Sequence, residues 1–124
     1  MPTEVGIDLV GRDEIVEALR RGNHYLRRIY TEEELDVCGD NPKLLAACFA
    51  AKEAAMKALR RTDEPVPWRS IALRMAPGGQ PSLELSGPAQ ALAKARGVTR
   101  LTVSISHADD QAMAVVLAHT GQAR

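Results

Sequence analysis

A long run of helix-forming residues between positions 41 and 61 restricts the fold more than any other feature of the sequence. Asn41 is a favoured capping residue, Pro42 suits a first helical turn, and the run LLAACFAAKEAAMKALRR is rich in strong helix formers. The pattern predicts a helix of about five turns. Aromatic residues make up 3% of the chain, so the core must be aliphatic, with many small alanine contacts that favour closely packed helices.

Size and charge bound the class of protein. A chain of 124 residues fits one domain, and its apolar and charged fractions, 45% and 26%, are those of an ordinary globular protein. The formal net charge is zero, so the whole molecule is attracted neither to nucleic acid nor to an anionic membrane. One local basic group remains, formed by Arg20, Arg21, His24, Arg27 and Arg28.

The N-terminus and the cysteines indicate a cytoplasmic protein. The first residues lack the pattern of a secretory signal, and no stretch approaches the roughly 20 apolar residues of a membrane span. Cys38 and Cys48 have no metal-ligand spacing around them and are expected to stay reduced. We therefore expect a cytoplasmic location.

The first third of the chain predicts one strand and two short helices. Residues 4 to 10 alternate with the period of a strand, and residues 12 to 21 carry an apolar helical stripe. Thr31 begins the second helix, where its hydroxyl and Glu34 form a capping box, and Gly39 ends it.

Two hairpins are predicted after the long helix. WRSIALRM and PSLELS are joined by a Pro-Gly-Gly turn, and LTVSISH and QAMAVVLA flank Ala-Asp-Asp. A helix at 88 to 96, ended by Gly97, separates the hairpins. We expect residues 1 to 118 to form the domain and residues 119 to 124 a loose tail.

Asp8 is the unusual residue of the first strand. A carboxylate inside an apolar strand costs several kcal/mol unless a cation or hydrogen-bond donors compensate its charge. Asp8 is therefore either a metal ligand or a strand-end residue that accepts backbone amides. Gly6 beside it permits close approach of a ligand or of another backbone segment. The two faces of the strand are Val5, Ile7 and Leu9 on one side, and Gly6, Asp8 and Val10 on the other.

Three further side chains are candidates for chemistry. Glu53 and Lys57 lie one turn apart on the long helix, so they can act together or form a solvated ion pair. His107 ends a predicted strand beside a turn, where it is either functional or a simple surface residue. The chain has no phosphate-binding loop, dinucleotide fingerprint, HExxH or GxSxG motif.

Together these motifs resemble those of the holo-acyl-carrier-protein synthases, a family of small phosphopantetheinyl transferases. The segment FAAKEAAMKAL at 49 to 59 is similar to the family's F-(A/S)-x-K-E-(A/S)-x-x-K helix, its most specific signature. Four other segments match in order over nearly the whole chain. They are VGIDLV, YLRRIYTEEEL, GGQPSLELSGPAQALAKARGV and VSISHADDQAMAVVLA.

The resemblance implies a single α+β domain of the 4′-phosphopantetheinyl transferase fold, with an antiparallel sheet, a long central helix and assembly as a homotrimer. Coenzyme A would bind between subunits and give its phosphopantetheine arm to a serine of an acyl carrier protein, leaving 3′,5′-ADP. Asp8 and Glu53 would hold Mg²⁺, which prefers such hard oxygen ligands. Lys57 would face the phosphates, and His107 would lie near the reacting pyrophosphate.

The resemblance also locates the adenosine end, the base and the carrier surface. Either Glu53 or a water on the metal would accept the serine proton. The adenosine end would lie against a turn made by Gly79, Gln80 and Pro81. The surface for an acidic carrier protein, or else a solvated polar face, would be formed by Arg20, Arg21, Arg27 and Arg28.

Five features depart from the family pattern, and they bear on carrier choice and on contact with the 3′-phosphate. RRTDE follows the long helix where a Gly-Thr-Gly loop is usual. The other four are Glu14 and Gln80 in place of basic residues, Cys48 in place of arginine and Ala108 in place of a hydroxyl residue. A non-catalytic module of the same fold and an unrelated Mg²⁺-dependent phosphotransferase are the alternatives, and the sequence does not distinguish fatty-acid, polyketide and peptide carriers.

Overall fold

The computed structural model describes residues 3 to 59 and 66 to 121. The fold is α+β, as predicted. Its elements, in chain order, are β1 (Thr3–Gly11), α1 (Arg12–Arg20), α2 (Asn23–Leu26), α3 (Glu32–Cys38), α4 (Pro42–Ala58), β2 (Ile71–Met75), β3 (Pro81–Leu85), α5 (Gly87–Ala95), β4 (Val98–His107) and β5 (Gln111–Thr120).

The strands form two antiparallel sheets. One has the order β1-β5-β4, and the other is the β2-β3 hairpin. Both predicted hairpins are confirmed. The structure differs at Trp68–Ser70, which forms a 3₁₀ turn instead of the start of a strand. The amide of Ser70 donates to the carbonyl of Pro67 at 3.0 Å, and this bond tightens the chain before β2 begins.

The long helix α4 packs across the three-stranded sheet, mainly against β1 and β5. Its buried face is largely alanine: Ala46, Ala47, Ala50, Ala51, Ala54, Ala55 and Ala58. The expectation that these alanines would bring helices together is wrong in this respect, because they bring a helix onto a sheet. Small side chains serve either purpose, and the sequence pattern does not distinguish them.

Gly6 sets the spacing between α4 and β1. A Cβ at this position would overlap the carbonyl oxygen of Ala54 and lie 2.6 Å from the amide nitrogen of Ala58. Only glycine lets the two backbones touch here, so the close approach predicted beside Asp8 is that of a backbone segment.

The other face of the three-stranded sheet is apolar and exposed. Val5, Ile7 and Leu9 are 53–60% exposed, and Met113 and Leu117 continue the patch on β5. The alternation of β1 is as predicted, but Gly6 and Val10, on the face that also carries Asp8, are the buried residues. The core of the chain therefore lies on the side of the sheet that carries Asp8.

A buried carboxylate joins α3, α4 and β2. The capping box of α3 is confirmed, with the amide of Glu34 donating to Thr31 Oγ1 at 3.1 Å and Glu34 Oε1 accepting from the amide of Thr31 at 2.8 Å. Glu34 Oε1 also accepts from Lys52 Nζ at 2.7 Å, and Oε2 accepts from the amide of Leu73 at 2.7 Å. Both charged side chains of this ion pair are fully enclosed.

Glu34→Ala is expected to lower the free energy of unfolding by about 3 to 5 kcal/mol, because it leaves the ammonium of Lys52 buried without its counterion. Urea unfolding measures the change. Glu33→Ala is the matched control, since its ion pair with Arg74 is solvent-exposed and should contribute less than about 1 kcal/mol. Equal effects of the two substitutions would show that the buried pair does not hold these elements together.

The predicted C-terminal tail begins later in the structure than in the prediction. Strand β5 continues to Thr120, two residues into the predicted tail. Residues 122 to 124, and the RRTDE segment with the proline after it at 60 to 65, lie outside the described residues. Across 3 to 59 and 66 to 121, none of the helices combines the length and apolar character needed to cross a bilayer.

Candidate active site

Asp8, Glu53 and Lys57, here called the acid–lysine cluster, come together where β1 meets α4. Lys57 Nζ lies 2.6 Å from Asp8 Oδ1 and 3.3 Å from the carbonyl oxygen of Ile7. The Asp8 side chain is 12% exposed and that of Lys57 58% exposed. Asp8 lies in the middle of β1, opposite Ala114, and so does not cap the end of the strand. Its compensating cation is Lys57.

Glu53 completes the cluster as a second, half-buried carboxyl group hydrogen-bonded to Asp8. Burial, the bond to Asp8 and the negative charge of Asp8 raise the pKa of Glu53 from 4.5 to about 8, Glu14 adds to this effect, and Lys57 opposes it. At neutral pH the two carboxyls therefore share a proton when no cation other than Lys57 is present. Such a pair is suited to receive a metal ion.

The positions of these three groups follow from local structure. Residues two apart on a strand share a face, so Gly6 and Asp8 both point towards α4. Residues four apart on a helix also share a face, and Glu53 and Lys57 lie one turn apart beside Asp8. Because Gly6 lets β1 touch α4 at Ala54 and Ala58, Asp8 is brought level with Glu53 and Lys57.

Glu53→Gln is expected to stabilise the metal-free protein at alkaline pH. A carboxyl whose pKa is raised on folding binds more protons in the folded than in the unfolded state, so wild-type stability falls as pH rises from about 4.5 to about 8. Allowing for solvent screening, the gain at pH 9 is on the order of 1 kcal/mol. That is about 3 to 5 °C in Tm for a domain of this size.

Thermal unfolding with a chelator between pH 5.5 and 9 measures this difference. The advantage of Glu53→Gln should grow with pH and shrink when Mg²⁺ replaces the chelator. A difference that does not change with pH would contradict a protonated Glu53.

A second group of predicted residues lines a cavity of about 440 Å³ at the β4 edge of the sheet, here called the β4-edge pocket. Its walls include Gly79 of the β2–β3 turn, Pro81 at the start of β3 and His107 at the end of β4. Gln80 is not; its carbonyl accepts from the amide of Ala76 at 2.9 Å and closes the turn. The predicted adenosine turn and His107 thus share one cavity.

The structure separates the two groups within one chain. None of the acid–lysine cluster lines the β4-edge pocket. Strands β1 and β4 are the two outer strands of their sheet, with β5 between them. Asp8 and His107 therefore lie on different strands at opposite edges.

The pocket is mainly apolar, and two of its charged groups have partners in the protein. Arg74 contacts both Glu33 and Glu84 at 2.8 Å, and Glu34 is held by Lys52. Cys48 also lines the wall. The pocket is therefore suited to a flat apolar group more than to a dense negative charge.

The four candidate carrier-binding arginines are exposed around α1 and α2. Arg20 and Arg27 make loose contacts with Glu17 and Glu32, at 3.8 and 3.7 Å, and Arg21 lies over the ring of Tyr25 at 4.8 Å. Arg28 completes the group. Because the ion pairs of Arg20 and Arg27 are exposed, this surface keeps much of its positive charge.

Two features of the site were missed by sequence reasoning. Sequence reasoning did not find the buried ion pair of Glu34 and Lys52. It had explained Glu34 as a capping residue and Lys52 as part of the family's helix motif. The position of Cys38 and Cys48 in the wall of one pocket was hidden because the two lie on different helices. In each case the sequence shows the residue types, but only the fold shows that these residues are buried.

Comparison with known proteins identifies the family. The model of the 4′-phosphopantetheinyl transferase superfamily matches residues 4–116. The holo-acyl-carrier-protein synthase of Herpetosiphon aurantiacus is 42% identical over 120 residues, which cover 90% of this chain and 94% of that protein. The chain therefore belongs to the 4′-phosphopantetheinyl transferase superfamily and, within it, to the holo-acyl-carrier-protein synthases.

Solved structures agree with this assignment. The complex of the synthase from Chronobacterium ammoniagenes with coenzyme A has a TM-score of 0.84 at 28% identity, covering 98% of this chain and 100% of that one. The Helicobacter pylori holo-acyl-carrier-protein synthase in complex with coenzyme A has a TM-score of 0.80 at 30% identity, covering 90% and 96%. The predicted family and fold are thus confirmed.

Proposed function

We propose that this chain transfers the 4′-phosphopantetheine group of coenzyme A to a serine hydroxyl of an apo acyl carrier protein, giving holo carrier protein and 3′,5′-ADP. The observation that carries the proposal is the acid–lysine cluster, in which two carboxyls and an ammonium meet in a chain of this family. Its solved relatives include two in complex with coenzyme A.

Asp8 and Glu53 are the proposed ligands of Mg²⁺. Within 3 to 59 and 66 to 121, no group of three or more His, Cys, Asp or Glu side chains could hold a metal ion. Two carboxylates completed by water and phosphate oxygens are the set that Mg²⁺ commonly takes. When bound, the ion would neutralise charge on the pyrophosphate during the displacement.

The side chains of the acid–lysine cluster have separate roles in the displacement. The carrier serine attacks the β-phosphorus, a new O–P bond forms, and the bond to the departing 3′,5′-ADP breaks. Asp8 holds the ammonium of Lys57 beside the two carboxyls. There the ammonium would stabilise the negative charge that develops on the leaving phosphate. Glu53 would take the serine proton, directly or through a water.

The active site is proposed to form between subunits of a homotrimer. The acid–lysine cluster and the β4-edge pocket lie at opposite edges of one sheet, so a neighbouring copy would supply the second group. His107 of the pocket would then face the pyrophosphate. The exposed apolar face, comprising Val5, Ile7, Leu9, Met113 and Leu117, supports burial against further copies of the chain. Sedimentation equilibrium would test the trimer.

Intact-mass measurement of an apo carrier protein, incubated with coenzyme A and Mg²⁺, tests the reaction. The proposal requires a gain of about 340 Da on the carrier, the mass of the transferred group. A non-catalytic module would leave the carrier unchanged. A panel of apo carriers from fatty-acid, polyketide and peptide synthesis would identify the preferred partner.

Charge reversal in the arginine surface is expected to weaken carrier recognition. Arg21→Glu with Arg28→Glu should raise the KM for an acidic carrier about tenfold at low salt and leave the KM for coenzyme A unchanged. Steady-state kinetics at several salt concentrations measure both constants. Arg96→Glu, at the exposed end of α5, is the control. A KM for the carrier that responds neither to reversal nor to salt would contradict a docking role.

A further inference from the structure

We propose that Lys57 and the divalent ion compete for the carboxylate of Asp8, so that the ion binds tightly only when coenzyme A draws Lys57 onto its phosphates. The inference rests on the proposed function, which makes Asp8 a metal ligand and places phosphates beside Lys57. It adds that Lys57 couples the binding of the ion to the binding of the cosubstrate.

The contacts of Lys57 place its ammonium on the proposed metal ligand. Lys57 Nζ lies 2.6 Å from Asp8 Oδ1 and 3.3 Å from the carbonyl oxygen of Ile7, so two oxygens of β1 hold it. The Asp8 side chain is 12% exposed, and little of its carboxylate is open to a second cation. An ion that binds Asp8 therefore has either to displace the ammonium or to share the carboxylate with it.

Sharing the carboxylate is electrostatically unfavourable. An ammonium on one oxygen and a divalent ion on the other would bring three positive charges within a few ångströms of one another. Water screens this repulsion only weakly, because most of the Asp8 side chain is enclosed. Lys57 therefore lowers the affinity of the site for an ion as long as its ammonium stays on Asp8.

Lys57 is able to leave Asp8 without disturbing the fold. Its backbone is fixed in the last turn of α4, whereas its side chain is 58% exposed and has a flexible stem of four carbons. Ion pairs with such an exposed partner contribute little to stability. The ammonium is thus free to turn towards an anion outside the protein.

Coenzyme A supplies such an anion. Its pyrophosphate is proposed to lie beside the acid–lysine cluster, where it competes with Asp8 for the ammonium. Once Lys57 contacts a phosphate, both oxygens of Asp8 are available to the ion. Because the coupling between two ligands is reciprocal, the ion also tightens the binding of coenzyme A by the same factor.

Binding of Mn²⁺ to the full chain without coenzyme A tests the competition. Mn²⁺ takes the same oxygen ligands as Mg²⁺, and electron paramagnetic resonance measures its free concentration. Lys57→Met removes the charge but keeps a long side chain, and it should bind Mn²⁺ about tenfold more tightly than the wild type. Lys57→Arg keeps the charge and should stay within about threefold of the wild type. Adding Asp8→Asn to Lys57→Met should remove the gain.

The same titrations in the presence of coenzyme A measure the coupling. After subtraction of the Mn²⁺ that coenzyme A binds by itself, coenzyme A should raise the Mn²⁺ affinity of the wild type by a larger factor than that of Lys57→Met. Lys94→Met is the control for the loss of one lysine, since Lys94 is exposed in the last turn of α5. It should leave both affinities unchanged.

The direction of the change separates competition from a structural role. If Lys57 only held Asp8 in position, its replacement would loosen the site and weaken the binding of Mn²⁺. An unchanged or weaker affinity in Lys57→Met, or an equal effect of coenzyme A on both proteins, overturns the proposal and leaves the proposed function standing. Absence of transfer to every apo carrier overturns the proposed function, whereas the Mn²⁺ affinities are measured without any transfer.

Discussion

Asp8→Asn is expected to lower the rate of phosphopantetheine transfer by about 1,000-fold or more, while the fold and the proposed trimer persist. The substitution keeps the size of the side chain but removes the negative charge that holds Lys57 at 2.6 Å and pairs with Glu53. Glu53→Gln should have a comparable effect, because each carboxylate is proposed to bind the same ion.

The measurement is the initial rate with saturating coenzyme A and apo carrier over a range of Mg²⁺. Asp13→Asn is the matched control, since Asp13 is an exposed acid in the first turn of α1. Circular dichroism and gel filtration check that the variants fold and assemble. If Asp8→Asn retains more than about a tenth of the wild-type rate, Asp8 does not have the role given to it here.

Gly6→Ala is expected to reduce the free energy of unfolding by about 3 kcal/mol and the transfer rate about 100-fold. The added methyl group would overlap the carbonyl oxygen of Ala54, which belongs to helix backbone and cannot rotate away. Strand β1 and helix α4 must separate, and the separation moves Asp8 away from Glu53 and Lys57.

Gly11→Ala is the control for this substitution, because it lies in the same strand and its Cβ would meet no atom within 4 Å. Its φ of −82° suits alanine, so its effect should stay within about 0.5 kcal/mol. Urea unfolding and initial rates measure both variants. Equal behaviour of the two would mean that the contact between β1 and α4 does not position the site.

Local chemistry made much of the fold predictable. The capping box at Thr31, the helix begun by Asn41 and Pro42 and both hairpins depend on residues close together in sequence, and all are present. The short helix α2 was not predicted, and its four residues carry little periodic signal. The family resemblance supplied the arrangement of these elements, which their separate patterns do not contain.

The candidate site was predictable in part for the same reason. The sequence indicated that Asp8 needed a compensating charge and that Glu53 and Lys57 share a helix face, because both statements follow from a single element. It did not indicate that Lys57 supplies that charge, since the two residues lie far apart in the chain. Their roles in catalysis remain predictions for the experiments described above.

By itself, the sequence determined most of the helices and strands, which residues share a face, and to which family the motifs are similar. Only the tertiary structure decided that the face of β1 with Asp8 is the buried one, that the acid–lysine cluster and the β4-edge pocket lie at opposite edges of a sheet, and that Cys38 and Cys48 line the same pocket. The physical reason is that capping and periodicity act over a few residues, whereas burial and contact depend on packing between segments distant in the chain.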